Sequence, residues 1–264
     1  MPELAEVEFY RKEWDAGLRK KVTRVELHAG KRIFRGIKVK RLAAALEGAT
    51  YLNSEAQAKL MCFRFSGGVW LGIHLGMSGQ LRMELAGFTP EKHDHLVLQQ
   101  SARALVFSDP RQFGRVHFHE GRDVPTWWAK LPPAVTSPEF TLERVSAFLK
   151  RHARLAVKAA LLVQTAFPGV GNWMADEILW QARIDPRTLC GKLSKKQIQA
   201  LWEKAREICR VSLDTIGKDF SDPPEDWLIH QRWTSKGICP RHGVQLKTAT
   251  IGGRTTRWCA RCQH

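Results

Sequence analysis

Four residues near the end of the sequence have the types and the spacing of a metal site. Cys239 and His242 are separated by two residues, as are Cys259 and Cys262, and sixteen residues lie between the two pairs. Thiolate and imidazole groups in two close pairs are typical ligands of a tetrahedral Zn2+ ion. The spacing therefore predicts one structural zinc ion per chain, held by these four residues.

The segment between the two pairs predicts the element that positions them. Residues 247–251 and 254–258 are two short extended runs on either side of Gly252-Gly253. A Gly-Gly pair between two such runs is typical of a β-hairpin turn. Because so small an element buries little apolar surface, it would need the metal to fold. We therefore expect a zinc ribbon built on a β-hairpin.

The first residues could supply a nucleophile. Removal of Met1 would leave Pro2 with a free secondary amine, and α-amino groups titrate at about 7.7–8.0, so part of the population is unprotonated near neutral pH. A helix beginning here would place Glu3 and Glu6 within one turn of that amine. The alternative is that Pro2 only starts a helix, since proline is favoured in the first helical turn.

A glycine-rich turn at 167–172 precedes a helical pattern at 173–182. Backbone N–H groups at the start of a helix form a phosphate site, and Asn172 could cap the helix or contact the phosphate. A turn that only packs two helices together fits the same residues.

Two further turns combine glycine with apolar and basic side chains. The turn at 74–79 presents Met77 as an exposed apolar tip, and the turn at 109–114 presents Arg111 and Phe113. Apolar wedges beside an arginine suit insertion into a stack of bases. Taken singly, each turn could equally be structural.

Composition narrows the class of partner. The 264 residues include 42 Lys and Arg against 26 Asp and Glu, a formal net charge of +16, which favours a polyanion such as nucleic acid. Nothing approaches the roughly 20 apolar residues that span a bilayer, and the N-terminus lacks a signal-peptide pattern. Cys62, Cys190 and Cys209 lie in apolar surroundings and are expected to be reduced packing residues.

The periodicity of apolar residues changes once along the chain and predicts an α+β protein. A helix is expected at 3–18, and Ser66-Gly67-Gly68 is expected to join two strands of a hairpin. Further strands are expected to complete a β-sandwich or barrel. The predicted strands are 59–65, 69–75, 81–85, 104–107 and 115–119.

After a proline-rich linker at 131–138 the pattern becomes helical. Ser194 can cap a long helix whose apolar stripe begins at Ile198. The predicted domains are an N-terminal β-sandwich domain at 1–130, a linker at 131–140, a helical domain at 141–228 and a zinc hairpin at 229–264.

These motifs, taken in order, resemble the formamidopyrimidine-DNA glycosylase/endonuclease VIII (Fpg/Nei) family over essentially the whole chain. The ordered set is specific although no single motif is. It consists of Pro2-Glu3-Leu4-x-Glu6, a strand at Lys59, His74-Leu-Gly-Met-Ser-Gly79, Asp109-Pro-Arg-x-Phe-Gly114, Pro168-Gly-Val-Gly-Asn172 and a terminal zinc ribbon with Arg254.

The resemblance implies a bifunctional DNA glycosylase and AP lyase of base excision repair that acts on oxidised bases. Pro2 would form a Schiff base at C1′ of the damaged nucleotide, and β,δ-elimination would cleave the strand. Glu3 would be the general acid, Glu6 would help to order the site, and Lys59 would contact the phosphate beside the lesion. Because the amine is the nucleophile, we expect no organic cofactor and no catalytic metal.

The resemblance also implies how damaged double-stranded DNA would be held. The α+β fold would comprise a β-sandwich with the catalytic N-terminal helix, a helix–two-turn–helix lobe and the zinc hairpin. The target base would leave the duplex, and phosphate contacts would make binding sensitive to salt. The implied DNA-binding residues are His74, Met77, Arg111, Phe113, Asn172 and Arg254. A monomer in the bacterial cytosol or nucleoid is expected.

Three departures from the family pattern leave specificity open. Ala5 replaces a usual proline, and His242 replaces the second zinc cysteine while still offering an adequate ligand. The segment 217–227 is short where the formamidopyrimidine branch covers a flipped 8-oxoguanine with a longer loop. Alternatives are therefore an endonuclease VIII-like preference for oxidised pyrimidines or abasic sites, and a noncatalytic damaged-DNA binder.

Overall fold

The computed structural model describes residues 1–264 and divides the chain into two compact units. The first unit, here the sandwich unit, comprises Met1–Pro2 and Glu6–Leu131, and the second, here the helical unit, comprises Glu3–Ala5 and Pro132–His264. The first helix, α1 (Leu4–Lys12), therefore contributes residues to both units. Among the helices, none combines the length and the apolar character that a membrane span requires.

The sandwich unit is built from eight strands. They are β1 (Arg24–Leu27), β2 (Tyr51–Gln57), β3 (Leu60–Phe65), β4 (Val69–His74), β5 (Gln80–Leu85), β6 (Asp94–Gln99), β7 (Arg103–Ser108) and β8 (Arg115–Glu120). They form two antiparallel sheets with the orders β1-β6-β7-β5 and β2-β3-β4-β8. Two short helices, α2 (Val39–Leu46) and α3 (Thr126–Ala129), complete the unit.

The two sheets share one apolar core, which confirms the predicted sandwich. Leu105 and Phe107 of β7 belong to the same buried cluster as Phe63 of β3 and Leu71 of β4. Alternate residues of a strand point to the same face, so each sheet buries one row of side chains against the other. Trp14 is fully buried in this core, where its indole packs 4.8 Å from the ring of Phe63.

The strands of this unit differ from the prediction in their boundaries and in their number. Ser66-Gly67-Gly68 joins β3 to β4 as predicted, with Phe65 opposite Val69. Lys59, predicted within a strand, instead lies in the two-residue turn that joins β2 to β3. The predicted helix at 3–18 ends at Lys12, and a short 3-10 turn follows. Strands β1, β2 and β6 were not predicted.

The helical unit contains the remaining helices and one hairpin. They are α4 (Leu142–Arg151), α5 (Val157–Leu161), α6 (Asn172–Gln181), α7 (Lys195–Asp214), α8 (Ile216–Asp219), β9 (Lys247–Ile251) and β10 (Arg254–Trp258). Ser194 caps α7 as predicted and forms a capping box with Gln197. Leu201, Ala205 and Ile208 of α7 are buried in the core of this unit.

The predicted C-terminal hairpin is present with the predicted bounds. Strands β9 and β10 pair with Ile251 opposite Arg254. Gly252 and Gly253 both adopt positive φ angles, 59° and 73°, which a two-residue hairpin turn of this twist requires. The glycine pair is therefore explained by backbone conformation, and the hairpin brings the two pairs of predicted metal ligands to the same end of the element.

Candidate functional site

The carboxylate of Glu3 is bound by the start of helix α6. Glu3 is 3% exposed. Its Oε2 accepts hydrogen bonds from the backbone N–H groups of Gly171, at 2.9 Å, and Met174, at 3.1 Å, and its Oε1 accepts one from Trp173, at 2.9 Å. Three N–H donors and the positive end of the helix dipole stabilise a carboxylate in its ionised form. Glu3 thus caps a helix that begins 169 residues later in the sequence.

Gly171 is required at this helix start because a side chain would collide with Glu3. A Cβ atom on Gly171 would lie 2.3 Å from Cδ of Glu3 and 2.4 Å from its Oε1. The sequence suggested a phosphate for these backbone N–H groups. The structure gives them to Glu3 instead, because a carboxylate meets the same hydrogen-bonding requirement as a phosphate.

Asn172 connects α6 to the hairpin. Its Nδ2 donates to the backbone oxygen of Thr255 at 2.9 Å. Its side chain does not cap the helix, since the N-cap position is Gly171. Its contact with a phosphate stays a prediction, and so does that of Arg254, which is exposed at the start of β10.

A buried group of charged residues adjoins the same helix and was not predicted. Lys158, Asp176 and Arg232 are 0%, 1% and 5% exposed. Asp176 accepts hydrogen bonds from Lys158 Nζ at 2.5 Å and from Arg232 Nη2 at 2.7 Å. Lys158 lies in an apolar helical run and Asp176 on a buried helix, and a charge at a position where periodicity predicts core is the signal that could have found them.

The four predicted metal ligands lie together. Their ligand atoms all fall within 4.8 Å of one another, and Nδ1 of His242 lies 3.6 Å from Sγ of Cys239 and 3.8 Å from Sγ of Cys259. A tetrahedral ion with bonds of about 2.0–2.3 Å places neighbouring ligand atoms roughly 3.3–3.8 Å apart. The cluster could therefore hold a metal ion.

An outer contact supports the metal cluster. The indole Nε1 of Trp180 donates to Sγ of Cys239 at 3.4 Å, and the guanidinium of Arg241 lies 4.0 Å from the Trp180 ring. A donor to a ligand sulfur stabilises the thiolate form and fixes its orientation. Helix α6 therefore contacts both sites: its first residues bind Glu3, and its Trp180 contacts the metal cluster.

In the sandwich unit, the turns at 74–79 and 109–114 are tied to each other. The buried carboxylate of Asp109 accepts from Ser78 Oγ at 2.8 Å and from the backbone N–H of Gly114 at 2.7 Å. A Cβ atom on Gly76 would lie 2.4 Å from the backbone carbon of Phe113. The sequence predicted two separate turns, and the tertiary structure makes them one platform.

The platform presents two of its predicted DNA-contacting side chains to solvent. Phe113 is 43% exposed, and the guanidinium of the exposed Arg111 lies 4.8 Å from its ring centroid. Met77, predicted as an exposed tip, is instead half-buried. Its lower exposure follows from the packing of its turn against residues 113–114.

The ring of His74 is held neutral at the end of β4. Its Nδ1 accepts a hydrogen bond from the backbone N–H of Gly76 at 3.0 Å, so its proton resides on Nε2. Burial, with the charges of Lys59 and Arg35, lowers the pKa of His74, which keeps the ring neutral. Lys59 is partly exposed in its turn.

The catalytic candidates near the N-terminus fall in both units. Pro2 is partly exposed just before α1, and its nitrogen is acylated by Met1 in the full-length chain. Glu6 lies on α1 and is partly buried. Pro2, Glu6 and Lys59 belong to the sandwich unit, whereas Glu3 belongs to the helical unit.

Comparison with known families gives two matches. Residues 1–116 match the profile of the formamidopyrimidine-DNA glycosylase N-terminal domain. Residues 131–222 match the profile of the formamidopyrimidine-DNA glycosylase H2TH domain.

Individual proteins match over most or all of the chain. The formamidopyrimidine-DNA glycosylase of Xanthomonas campestris pv. campestris (strain B100) is 35% identical over 83% of each chain. That of Thermus thermophilus is 31% identical over 100% of this chain and 98% of its own. Among solved structures, the Lactococcus lactis enzyme in complex with FAPY-dG-containing DNA superposes with a TM-score of 0.90 at 26% identity, covering 99% of this chain and 100% of that one.

Proposed function

The chain belongs to the formamidopyrimidine-DNA glycosylase family, and we propose that it is a bifunctional DNA glycosylase and AP lyase that removes oxidised purines and formamidopyrimidines from DNA. One observation carries the proposal. The residue that follows Pro2 is a carboxylate fixed by three backbone N–H donors at the start of α6. A proton acceptor held in place directly beside a potential amine nucleophile suits proton transfer during attack on a sugar.

The glycosylase step would begin once Met1 has been removed. The neutral amine of Pro2 attacks C1′, the bond from C1′ to the base breaks, and the departing base takes a proton from water. Glu3 takes the proton released by the Pro2 nitrogen and delivers it to the ring oxygen as the bond between that oxygen and C1′ opens. The product is an iminium ion linking Pro2 to the opened sugar. Because Glu3 is stabilised as a carboxylate, it acts first as a base and then as an acid.

The lyase step would follow from the same iminium ion, which acidifies the proton at C2′. Loss of that proton breaks the bond from C3′ to its phosphate, and a second elimination releases the other phosphate. Lys59, in its turn before β3, would stabilise the negative charge of the departing phosphate. Glu6 would help to order the N-terminal turn of α1.

DNA binding would combine hydrogen bonds to phosphates with side chains that enter the base stack. His74, with a neutral ring and a proton on Nε2, would donate to a phosphate, as would Asn172 and Arg254. Met77, Arg111 and Phe113 would fill the space left by the extruded base. The formal net charge of +16 supports a polyanionic duplex as the partner.

The metal cluster suits a structural zinc ion. Cys239, His242, Cys259 and Cys262 offer three thiols and an imidazole within 4.8 Å of one another, and Cys3His is a ligand set of closed structural zinc sites. Zinc would hold the hairpin that carries Arg254. The reacting atoms of the proposed mechanism need no metal.

A second specificity is favoured by the connection that follows α8. Phe220 ends that helix in a left-handed conformation with φ of 64°, and only seven residues separate it from the 3-10 turn at Leu228–His230. So short a segment offers little cover for a large flipped purine. The alternative is a preference for oxidised pyrimidines or abasic sites, in the manner of endonuclease VIII.

The proposal is tested by trapping with borohydride. Reduction of an iminium ion leaves a stable covalent link between protein and DNA, so wild-type protein with a verified free Pro2 terminus should form an adduct with a duplex containing one abasic site. Pro2→Gly should lower the yield strongly while keeping DNA affinity. Failure of the wild-type protein to form an adduct, with DNA binding intact, would leave a noncatalytic damaged-DNA binder.

A second assay ranks the lesions. Duplexes carrying formamidopyrimidine, 8-oxoguanine or thymine glycol are compared for base release in single turnover. Fastest release of the two purine lesions supports the leading specificity, and fastest release of thymine glycol supports the endonuclease VIII-like alternative.

A further inference from the structure

Asp176 lies at the centre of a buried charge cluster that the proposed mechanism does not use. Its Oδ1 accepts from Lys158 Nζ, and its Oδ2 accepts from Nε and Nη2 of Arg232 at 3.1 and 2.7 Å. Burying ion pairs costs desolvation free energy, and apolar replacements of similar volume are often as stable. Stability alone is therefore a weak reason for three buried charges at this position.

Lys158 connects the cluster to Glu3 through a single peptide group, the one between Asn172 and Trp173. Lys158 Nζ donates to the backbone oxygen of Asn172 at 2.7 Å. The N–H on the other side of that peptide bond belongs to Trp173, and it donates to Oε1 of Glu3 at 2.9 Å. A cation on a carbonyl oxygen polarises the peptide and strengthens its N–H as a donor. The chain of contacts from Asp176 to Glu3 is thus unbroken.

Asp176 also connects the cluster to the C-terminal hairpin. Oδ2 of Asp176 accepts from the backbone N–H of Arg257 in β10 at 3.2 Å. The hairpin turn is also seated on α5, since a Cβ atom on Gly252 would lie 2.8 Å from Cβ of Ala159. One carboxylate therefore touches both the strand that leads to Cys259 and the lysine that supports the start of α6.

We propose that Asp176 is a positioning residue that couples the metal-binding hairpin to Glu3. It does so by holding a charged Lys158 against the peptide group that binds the Glu3 carboxylate. The consequence for catalysis rests on the proposed role of Glu3 in proton transfer, whereas the coupling itself does not.

Every charged group that faces Glu3 bears on this coupling. Burial lowers the pKa of Lys158, and Asp176 opposes that effect, so loss of the aspartate charge favours loss of the lysine proton. The thiol of Cys209 stays neutral, because burial raises its pKa to about 12. The groups that interact electrostatically with Glu3 include Lys158 on α5 and Cys209 on α7.

The first test is Asp176→Asn, which keeps the shape of the side chain and removes its charge. The matched control is Asp94→Asn, because Asp94 is likewise buried, at 2% exposed, and both its oxygens accept from Arg82 at 2.8 Å. Asp94 belongs to the sandwich unit, whereas Glu3 belongs to the helical unit. Both variants are compared with wild type for bound zinc, for affinity toward a duplex with a tetrahydrofuran abasic analogue, and for single-turnover base release from about pH 5 to 9.

The expected result is specific to Asp176. Zinc content and affinity stay within about threefold of wild type, while base release falls most at the acid end of the range, by up to about tenfold for each unit that the acid limb is displaced, and recovers toward pH 8. The direction follows because removing a cation near Glu3 makes its carboxylate harder to ionise. Asp94→Asn should leave both the rate and the pH profile within about twofold of wild type.

The variant Lys158→Met and a direct titration of Glu3 test the coupling independently of Asp176→Asn and of enzyme activity. Lys158→Met removes the cation and leaves Asp176 paired with Arg232, so it should displace the acid limb in the same direction even if Asp176→Asn fails to fold. Carboxyl 13C NMR of Glu3 should show a higher titration midpoint in either variant, whether or not the protein is active.

The outcomes separate the two proposals. Wild-type protein without base release or trapping overturns the proposed function, and the carboxyl titration then still tests the coupling. A wild-type pH profile and Glu3 titration in the folded variants would overturn the coupling. So would a loss of rate that Asp94→Asn reproduces.

Discussion

The sandwich unit and the helical unit hold their candidate functional residues in opposite ways. In the sandwich unit, Arg111 and Phe113 are exposed on the platform. Asp109 holds the platform together by accepting hydrogen bonds from the hydroxyl of Ser78 and the backbone N–H of Gly114. In the helical unit, Glu3 is itself buried, and the nearby Asp176 is bonded to two cations.

The difference follows from what each region would do. Side chains that enter a DNA duplex must be reachable, so only their backbone can be fixed, and neutral donors around Asp109 suffice. A carboxylate that transfers protons must have a defined charge, and when it is buried that charge is set by the hydrogen-bond donors and charged groups around it. We therefore expect the helical unit to be the more sensitive of the two to small changes.

The largest effect is expected from Gly171→Ala. The new methyl group would displace the Glu3 carboxylate from its three N–H donors, and misplacement of an acid–base group by about 1 Å costs on the order of 100-fold in rate. Single-turnover base release is the measurement. Gly30→Ala is the matched control, because a Cβ there meets nothing within 4 Å.

A double variant shows whether that loss acts through Glu3. If it does, Gly171→Ala should cost little further rate in a Glu3→Gln background, since residues acting as a unit are not additive. Equal losses in both backgrounds would mean that the methyl group harms the protein elsewhere.

An intermediate effect is expected from Gly76→Ala in the sandwich unit. Gly76 combines a φ of 66° with the close approach to Phe113, so the substitution should shift the platform and weaken binding to a duplex with an abasic analogue by about tenfold, or about 1.4 kcal/mol. Gly87→Ala is the control, because Gly87 has a φ of 81° but open space around it. If both variants bind alike, strain in the glycine backbone and not the contact with Phe113 determines the effect.

An effect that is absent at neutral pH and appears only in acid is expected from His117, which packs against Trp127 in the sandwich unit. Burial, with the positive charges of Arg115 and Arg35, lowers its pKa to about 4. A histidine that is neutral in the folded state contributes stability that is fully present above its unfolded pKa of about 6.5 and is lost as the pH falls from there toward about 4.

Because His117 is partly exposed, solvent screening reduces its contribution to about 1–2 kcal/mol. Urea unfolding at pH 7 and pH 4.5 should therefore show a larger loss of stability for wild type than for His117→Gln. Equal losses would indicate that His117 titrates normally in the folded protein.

Local sequence signals predicted the elements that depend on local chemistry. Gly252-Gly253 specified the C-terminal hairpin, Ser194 specified the start of α7, and both were found where expected. Strands β1 and β2 were missed because they are sheet edges with many exposed polar residues, which blur the alternation that marks a strand. The roles of Pro2, Lys59 and the DNA-contacting residues stay predictions.

Residue types at short and fixed spacings were enough to predict the family, the four candidate metal ligands and the order of the motifs. No local pattern indicated that Glu3 binds the N–H groups at the start of α6, which lie 168 to 171 residues away; the folded chain brings them together. It alone also brought Lys158, Asp176 and Arg232 together. A charge within an apolar run can mark a buried residue such as Lys158, but it does not identify the partner, since each segment satisfies its own local pattern whether or not the partner is present.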